Sequence, residues 1–351
     1  MGARPEILAP TRTTADPQPV TVLPRLNRVK TIVERWDRHQ VPLYVAAILL
    51  GGLIGSLAPG VAPALTVAIN PVLALLLFAT FLGVPLIEVG RSFRDIRFLG
   101  TVLIVNFAIV PLVAFGLSRF VADDRGLLLG VLLVLLTPCI DYVIVFTGLA
   151  GGAKARLLAA APLLMLLQIV LLPLYLLLFA GSDAVELIEI EPFVEAFLIL
   201  IVAPLVAAAI VQAIARRHRA GRAIENVMAA AMVPLMMLTL AVVIGSQIAA
   251  VGGQAVTLIR VVPIYVAFLA VMLFVGLAAG RFARLDVPAT RAVMFSGSTR
   301  NSLVVLPLAL ALPASLSIAP LAVVTQTLVE LVGMVIFVRL VPALTQARKP
   351  L

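Results

Sequence analysis

From Val41 onward the chain is a succession of apolar runs of about 20 residues, the length at which a helix crosses a ~30 Å hydrocarbon core, separated by short polar gaps. The runs fall at 41–58, 63–85, 98–119, 126–150, 155–180, 192–215, 225–250, 258–280, 287–312 and 318–342. This pattern predicts an all-α polytopic membrane protein with ten transmembrane helices. Residues 1–24 are polar, contain Pro and Thr, and lack the apolar core of a signal peptide, so a tail is expected there. Between Asn27 and Gln40, Val29, Ile32, Val33 and Trp36 recur at helical spacing among Arg and Lys. That spacing fits a basic amphipathic helix on the membrane surface, or a frayed start to the first span.

Composition agrees with the pattern. Of 351 residues, 62% are hydrophobic and 12% charged, more apolar surface than a water-soluble fold can hide. The net charge of +9 could suggest nucleic acid, but the basic residues sit in the gaps between apolar runs and act as topology signals. Arg91, Arg94 and Arg97; Lys154 and Arg156; Arg216, Arg217, Arg219 and Arg222; and Arg281, Arg284 and Arg291 share one side with both tails. The other side carries Arg119 and Arg125 beside Asp123 and Asp124, the acidic Asp183, Glu186, Glu189 and Glu191, and Arg260. The positive-inside rule therefore predicts cytoplasmic termini in a plasma membrane of bacterial type. The single cysteine, Cys139, excludes a disulfide framework within the chain.

Five runs lie on each side of the acidic segment 181–191. An odd number means that a second copy must enter the membrane upside down, the inverted-repeat habit of transporters. The expected organisation is a tail (1–40), a first five-helix repeat (41–180), an extracytoplasmic linker (181–191), a second repeat (192–342) and a tail (343–351). Ala161-Pro162-Leu163 followed by Gln168 matches Ala319-Pro320-Leu321 followed by Gln326, an offset of 158 residues. The same offset lays Thr137-Pro138-Cys139-Ile140-Asp141-Tyr142 over the Ser296-Gly297-Ser298-Thr299-Arg300-Asn301 stretch. Pro71 against Pro234 is a weaker match at a slightly different offset.

Proline removes a backbone donor, and glycine and serine weaken a helix, so spans four and nine are expected to break midway and to face each other at the membrane midplane. Asp141 and Arg300 are charges at nearly equivalent positions of the two breaks, each costing ~2.5 to 3.5 kcal/mol at a helix centre. They are expected to pair across the breaks and to loosen during transport; the alternative is that Asp141 caps a half-helix and Arg300 neutralises it permanently. Thr137, Pro138, Ser298, Asn301 and Ser302 complete the candidate solute site. Glu330, one helical turn after Gln326, is a further deep carboxylate. With Asp141 these two are candidates for ion coupling, or they tie span ten to a neighbour. Asn106, Thr147, Gln168 and Gln247 are expected to form interhelical hydrogen bonds. Cys139 fits a small buried hydrophobe, but at a helix N-terminus a thiol gains thiolate character that suits a soft, thiophilic solute.

Over Val41 to about Pro342 the chain resembles the bile acid:sodium symporter superfamily. The residues that carry this resemblance are Thr137-Pro138-Cys139-Ile140-Asp141-Tyr142-Val143 and Ser296-Gly297-Ser298-Thr299-Arg300-Asn301-Ser302 followed by Leu-Val-Val-Leu-Pro. The resemblance implies ten helices in two inverted repeats, with helices four and nine broken and crossed at the substrate site. It is strongest to the arsenical-resistance branch of arsenite efflux carriers, whose functional cysteine corresponds to Cys139. Two departures stand out. Arsenite carriers place a glutamate in the second break, where this chain has Ser, Thr, Arg300 and Asn301, and sodium-coupled relatives have an acidic residue and a Gln-Asn-Ser run where Arg300 replaces the Gln. A fixed guanidinium repels a cation, so sodium-independent transport is expected, with Asp141 or Glu330 carrying protons.

The expected function is efflux of arsenite or a related metalloid by alternating access. The alternative solute is a small organic anion held near Arg300 and the positive helix ends. An intramembrane enzyme would need acid, base, nucleophile or metal ligands gathered at depth, and the two histidines, His39 and His218, fall in a tail and a loop. No cofactor, metal or nucleic-acid partner is expected. A passive channel fits the paired breaks and buried charges less well than a carrier.

Overall fold

The computed structural model describes residues 40–83, 95–140, 142–181 and 190–346. The expected amphipathic helix before Gln40, Asp141, Arg91 and Arg94, most of the acidic linker and the last residues of the C-terminal tail lie outside them. The described residues are all-helical, and their helices follow the apolar runs. They are α1 (Gln40–Leu57), α2 (Ala62–Gly83), α3 (Ile96–Ile104), α4 (Val110–Ser118), α5 (Arg125–Leu135), α6 (Tyr142–Leu149), α7 (Lys154–Ala180), α8 (Ile190–Phe197), α9 (Ala203–Ala215), α10 (Arg219–Gly253), α11 (Ala255–Leu258), α12 (Val261–Phe282), α13 (Val287–Ser298), α14 (Ser302–Leu310) and α15 (Ile318–Thr345).

Among the described residues, seven helical stretches are long and apolar enough to cross a membrane, and Pro42–Leu57 and Arg125–Leu135 are shorter apolar helices. Large apolar side chains such as Leu49, Leu53, Leu112, Val170, Leu178, Phe274 and Ile336 are exposed around the bundle, which marks lipid as its solvent. Two π-helical turns keep neighbouring helices continuous: Val105–Ile109 joins α3 to α4 inside the membrane-length stretch Ile96–Val121, and Leu198–Val202 joins α8 to α9. A proline follows each turn, Pro111 and Pro204. Proline supplies no N–H to the preceding turn, which suits the widened hydrogen-bond ring there.

Two groups of helices pack within the bundle. The first unites α1, α2, α9 and α10; the second gathers α3–α7 and α12–α15. Small residues let α1 and α10 approach closely: a Cβ on Gly51 would lie 2.4 Å from the Ala241 carbonyl oxygen, and one on Gly55 would lie 2.1 Å from that of Gly245. The groups meet along α2 against α14 and along α10 against α15, and α8 also packs on α14. A moving boundary between them would therefore run beside the second broken helix.

Polar helix ends are tied down on both sides. Arg156 bridges Asp95 (3.2 Å) and Asp286 (2.8 Å), the N-caps of α3 and α13. Arg260 pairs with Asp123 at 2.5 Å, and its guanidinium beside the exposed Asp123 holds that carboxyl below its usual range, chiefly through the hydrogen bond between them. Both sets join loops that the charge pattern assigns to a single side, in agreement with the alternation expected from the sequence.

Candidate functional site

The expected breaks are present. The helix of α5 stops at Leu135 and resumes as α6 at Tyr142; α13 stops at Ser298 and α14 starts at Ser302. Each stop has a local cause. Pro138 lacks the N–H that would continue α5, while the Thr299 backbone turns extended (φ −98°, ψ 130°) and Asn301 caps α14 by accepting from the Val304 N–H at 3.3 Å.

The two broken segments run antiparallel and bond to each other, with Pro138 opposite Arg300. The Cys139 N–H donates to the Thr299 carbonyl at 3.2 Å, and the Asn301 N–H to the Thr137 carbonyl at 2.8 Å. Backbone groups freed by the breaks thus satisfy one another, as a site away from water requires. Thr137, Cys139, Ser298, Thr299, Arg300, Asn301 and Ser302 are all buried at this crossing.

Arg300 is fully buried, and its guanidinium is held by oxygens at helix ends. Nη2 donates to the carbonyls of Ser296 (2.6 Å) and Gly297 (2.9 Å) in the last turn of α13, and to Oδ1 of Asn106 (2.8 Å); Nη1 reaches the Leu135 carbonyl at the end of α5 (3.4 Å). Phe268 lies beneath it, 5.6 Å from ring centre to guanidinium carbon. The last carbonyls of a helix lack intrahelical partners and carry the negative end of its dipole, so a cation placed between two such ends is favoured. The expected partner, Asp141, lies outside the described residues; the partners observed are backbone carbonyls and Asn106.

Asn106 owes its position to the π-helical turn Val105–Ile109, and its amide nitrogen donates to the Val102 carbonyl and to Ser296 Oγ, each at 3.0 Å. It was expected as an interhelical hydrogen-bonding group and is one, with the buried arginine as an added partner. Among the described residues, Thr147 and Gln168 are buried and each has an oxygen without a hydrogen-bond partner, while Gln247 donates to its neighbour Ser246 at 3.4 Å.

Glu330 belongs to the same cluster. Its Oε2 accepts from the Arg300 backbone N–H (2.7 Å) and from Gln326 Nε2 (2.5 Å), and its Oε1 accepts from the Tyr142 hydroxyl. Tyr142 also lies 3.2 Å from the Arg300 carbonyl, but its single hydrogen goes to the stronger acceptor, the carboxylate. The sequence expectation for Tyr142 was only that it sat in the break, although a tyrosine at the head of an apolar half-helix signals a hydroxyl in need of a partner. Thr327 Oγ1 donates to Ser302 Oγ at 2.7 Å, and Thr299 Oγ1 reaches the Met334 sulfur, so α15 braces the whole second break. Among the described residues, no group of three or more His, Cys, Asp or Glu side chains is arranged to hold a metal ion.

The architecture defines a multi-pass helical membrane protein whose buried polar groups converge where two interrupted helices cross. A model of the sodium bile acid symporter family matches residues 70–254, just over half of the chain. The chain belongs to this family, a family of membrane transporters. The matched stretch includes the first break and ends before the second. No curated protein matches the chain.

Proposed function

We propose that this protein is a secondary active transporter of the bacterial plasma membrane, with ten spans in two inverted five-helix repeats, cytoplasmic termini and its solute site at the helix crossing. The observation that carries this reading is the antiparallel bridge between Pro138 and Arg300, which joins the two breaks into one polar centre. Irregular backbone and buried charge are costly in a membrane and are kept where a solute pathway needs them. Access would alternate as the group of α1, α2, α9 and α10 moves against the rest, exposing the crossing first to one side and then to the other.

The solute that fits best is arsenite or a related metalloid, moved outward without sodium and against protons. Cys139 is buried within the crossing, next to the bridged proline, where one sulfur offers a weak soft ligand that a carrier can release. Glu330 and Asp141 are the carboxylates available for the proton. Arg300 spends its Nη donors on protein oxygens, which weighs against a carboxylate solute held by that fork.

A small organic anion remains the second reading because two donors at the crossing, Arg300 Nε and Asn301 Nδ2, are buried without a hydrogen-bond partner among the described residues. Counterflow of radiolabelled arsenite into proteoliposomes separates the two. Metalloid transport predicts exchange that antimonite suppresses and small carboxylates leave unchanged; exchange driven by carboxylates alone overturns it.

A further inference from the structure

The oxygens around the Arg300 guanidinium form a site with the chemistry of a cation cage. Ser296, Gly297 and Leu135 contribute carbonyl oxygens from the C-terminal ends of two separate helices, and Asn106 contributes a fourth oxygen from the π-helical turn. Carbonyl and amide oxygens are the hard, neutral ligands that replace the hydration shell of an alkali ion. Two helix ends aimed at one point add the negative ends of their dipoles. None of the four is a carboxylate, and their strongest cationic neighbour is supplied by the chain itself.

We propose that Arg300 is a tethered cation: its guanidinium fills an oxygen cage that would otherwise take a mobile monovalent metal ion. A mobile ion can enter from one side and leave on the other, and so links solute movement to its gradient. A covalently attached charge supplies the same stabilisation to the crossing and cannot leave. The chain would thus keep the electrostatic architecture of a family named for sodium symport while being blind to sodium. The buried carboxylate of Glu330, held by the backbone N–H of the same arginine, balances the charge in either case.

The consequence for coupling rests on the transporter reading, but the cage can be tested by ion binding with no solute present, so failure here leaves that reading standing. The full chain is purified in detergent, and radiolabelled sodium binding and thermal melts are compared in sodium, potassium and choline chloride at equal ionic strength. The parent should bind no saturable sodium and melt at the same temperature in all three. Arg300→Ala should gain a saturable sodium component absent from the parent, and its Tm should climb with sodium or low guanidinium concentration by mass action. Arg300→Lys, whose ammonium can enter the same cage, should fold and stay insensitive to sodium.

Saturable sodium binding by the parent overturns the proposal, as does sodium-dependent folding of Arg300→Lys. A purely structural arginine predicts a different result for Arg300→Ala: folded protein with no response to any cation, or no folded protein in sodium, potassium or guanidinium. Either outcome also overturns it.

Discussion

The backbone N–H of Arg300 donates to Oε2 of Glu330 at 2.7 Å, while the guanidinium of the same residue bonds to helix-end carbonyls and Asn106. Two opposite charges thus lie side by side in the buried crossing without their side chains forming an ion pair. The arrangement satisfies each charge separately with fixed dipoles. A carboxylate that is not locked to a guanidinium is freer to exchange a proton, and a guanidinium not locked to a carboxylate is freer to hold the helix ends together.

Glu330→Gln keeps the shape but turns one acceptor into a donor facing the donors of Tyr142, Gln326 or Arg300. Hydrogen bonds to a charged acceptor contribute roughly 1.5 to 3 kcal/mol each, so the melting temperature in detergent should fall clearly. Tyr142→Phe removes one such bond and should cost about half as much or less. Equal melts for parent and Glu330→Gln would contradict the hydrogen-bonded role of the carboxylate.

Asn106→Leu should destabilise the protein by about 1 to 3 kcal/mol, because a buried guanidinium N–H and the Ser296 hydroxyl both lose a partner. Asn106→Asp introduces a full negative charge opposite the guanidinium and should recover more of the stability than Leu does. Thermal melts of the three proteins in one detergent check the order.

Gly55→Val should prevent close packing of α1 on α10, since even a Cβ would lie 2.1 Å from a backbone oxygen that cannot move aside. Overpacking typically costs about 1 to 3 kcal/mol, and here the obstructing atom is a helix backbone oxygen, so monodisperse protein should be lost on size exclusion. Gly100→Ala, with nothing within 4 Å of the added atom, should melt at or slightly above the parent temperature.

The contribution of the Asp123 to Arg260 pair should be lost on the acid side. The folded-state pKa of Asp123 is depressed, so its contribution is present above the unfolded value of about 3.9 and is lost as pH falls through the folded value. Asp123→Asn should therefore lower the melting temperature slightly at neutral pH, and the two proteins should converge well below pH 4. The effect is small because the pair is exposed to water and salt. A gap between them that widens on acidification would contradict this.

The long helices were legible because a run of about 20 apolar residues has few other stable fates. The breaks were legible too, since Pro138 and the Ser296–Asn301 cluster each violate helix chemistry inside an apolar run. Sequence patterns say nothing about carbonyl acceptors, which every residue carries, so the grip of Ser296, Gly297 and Leu135 on Arg300 could not be read in advance. An expected partner for a buried charge is sought among opposite charges, and the backbone is overlooked. The proline motif used to align the halves also falls at unequal depths: Pro162 lies two turns into α7, whereas Pro320 is in the first turn of α15.

The measurement that reaches the central claim most directly is arsenite uptake into everted membrane vesicles under an imposed pH gradient, with and without sodium, for the parent chain and Cys139→Ser. The account predicts uptake that follows the pH gradient, ignores sodium, and is lost in a Cys139→Ser protein present at the parent level. No arsenite movement by an intact parent protein, or full transport by Cys139→Ser, would contradict metalloid passage through the helix crossing.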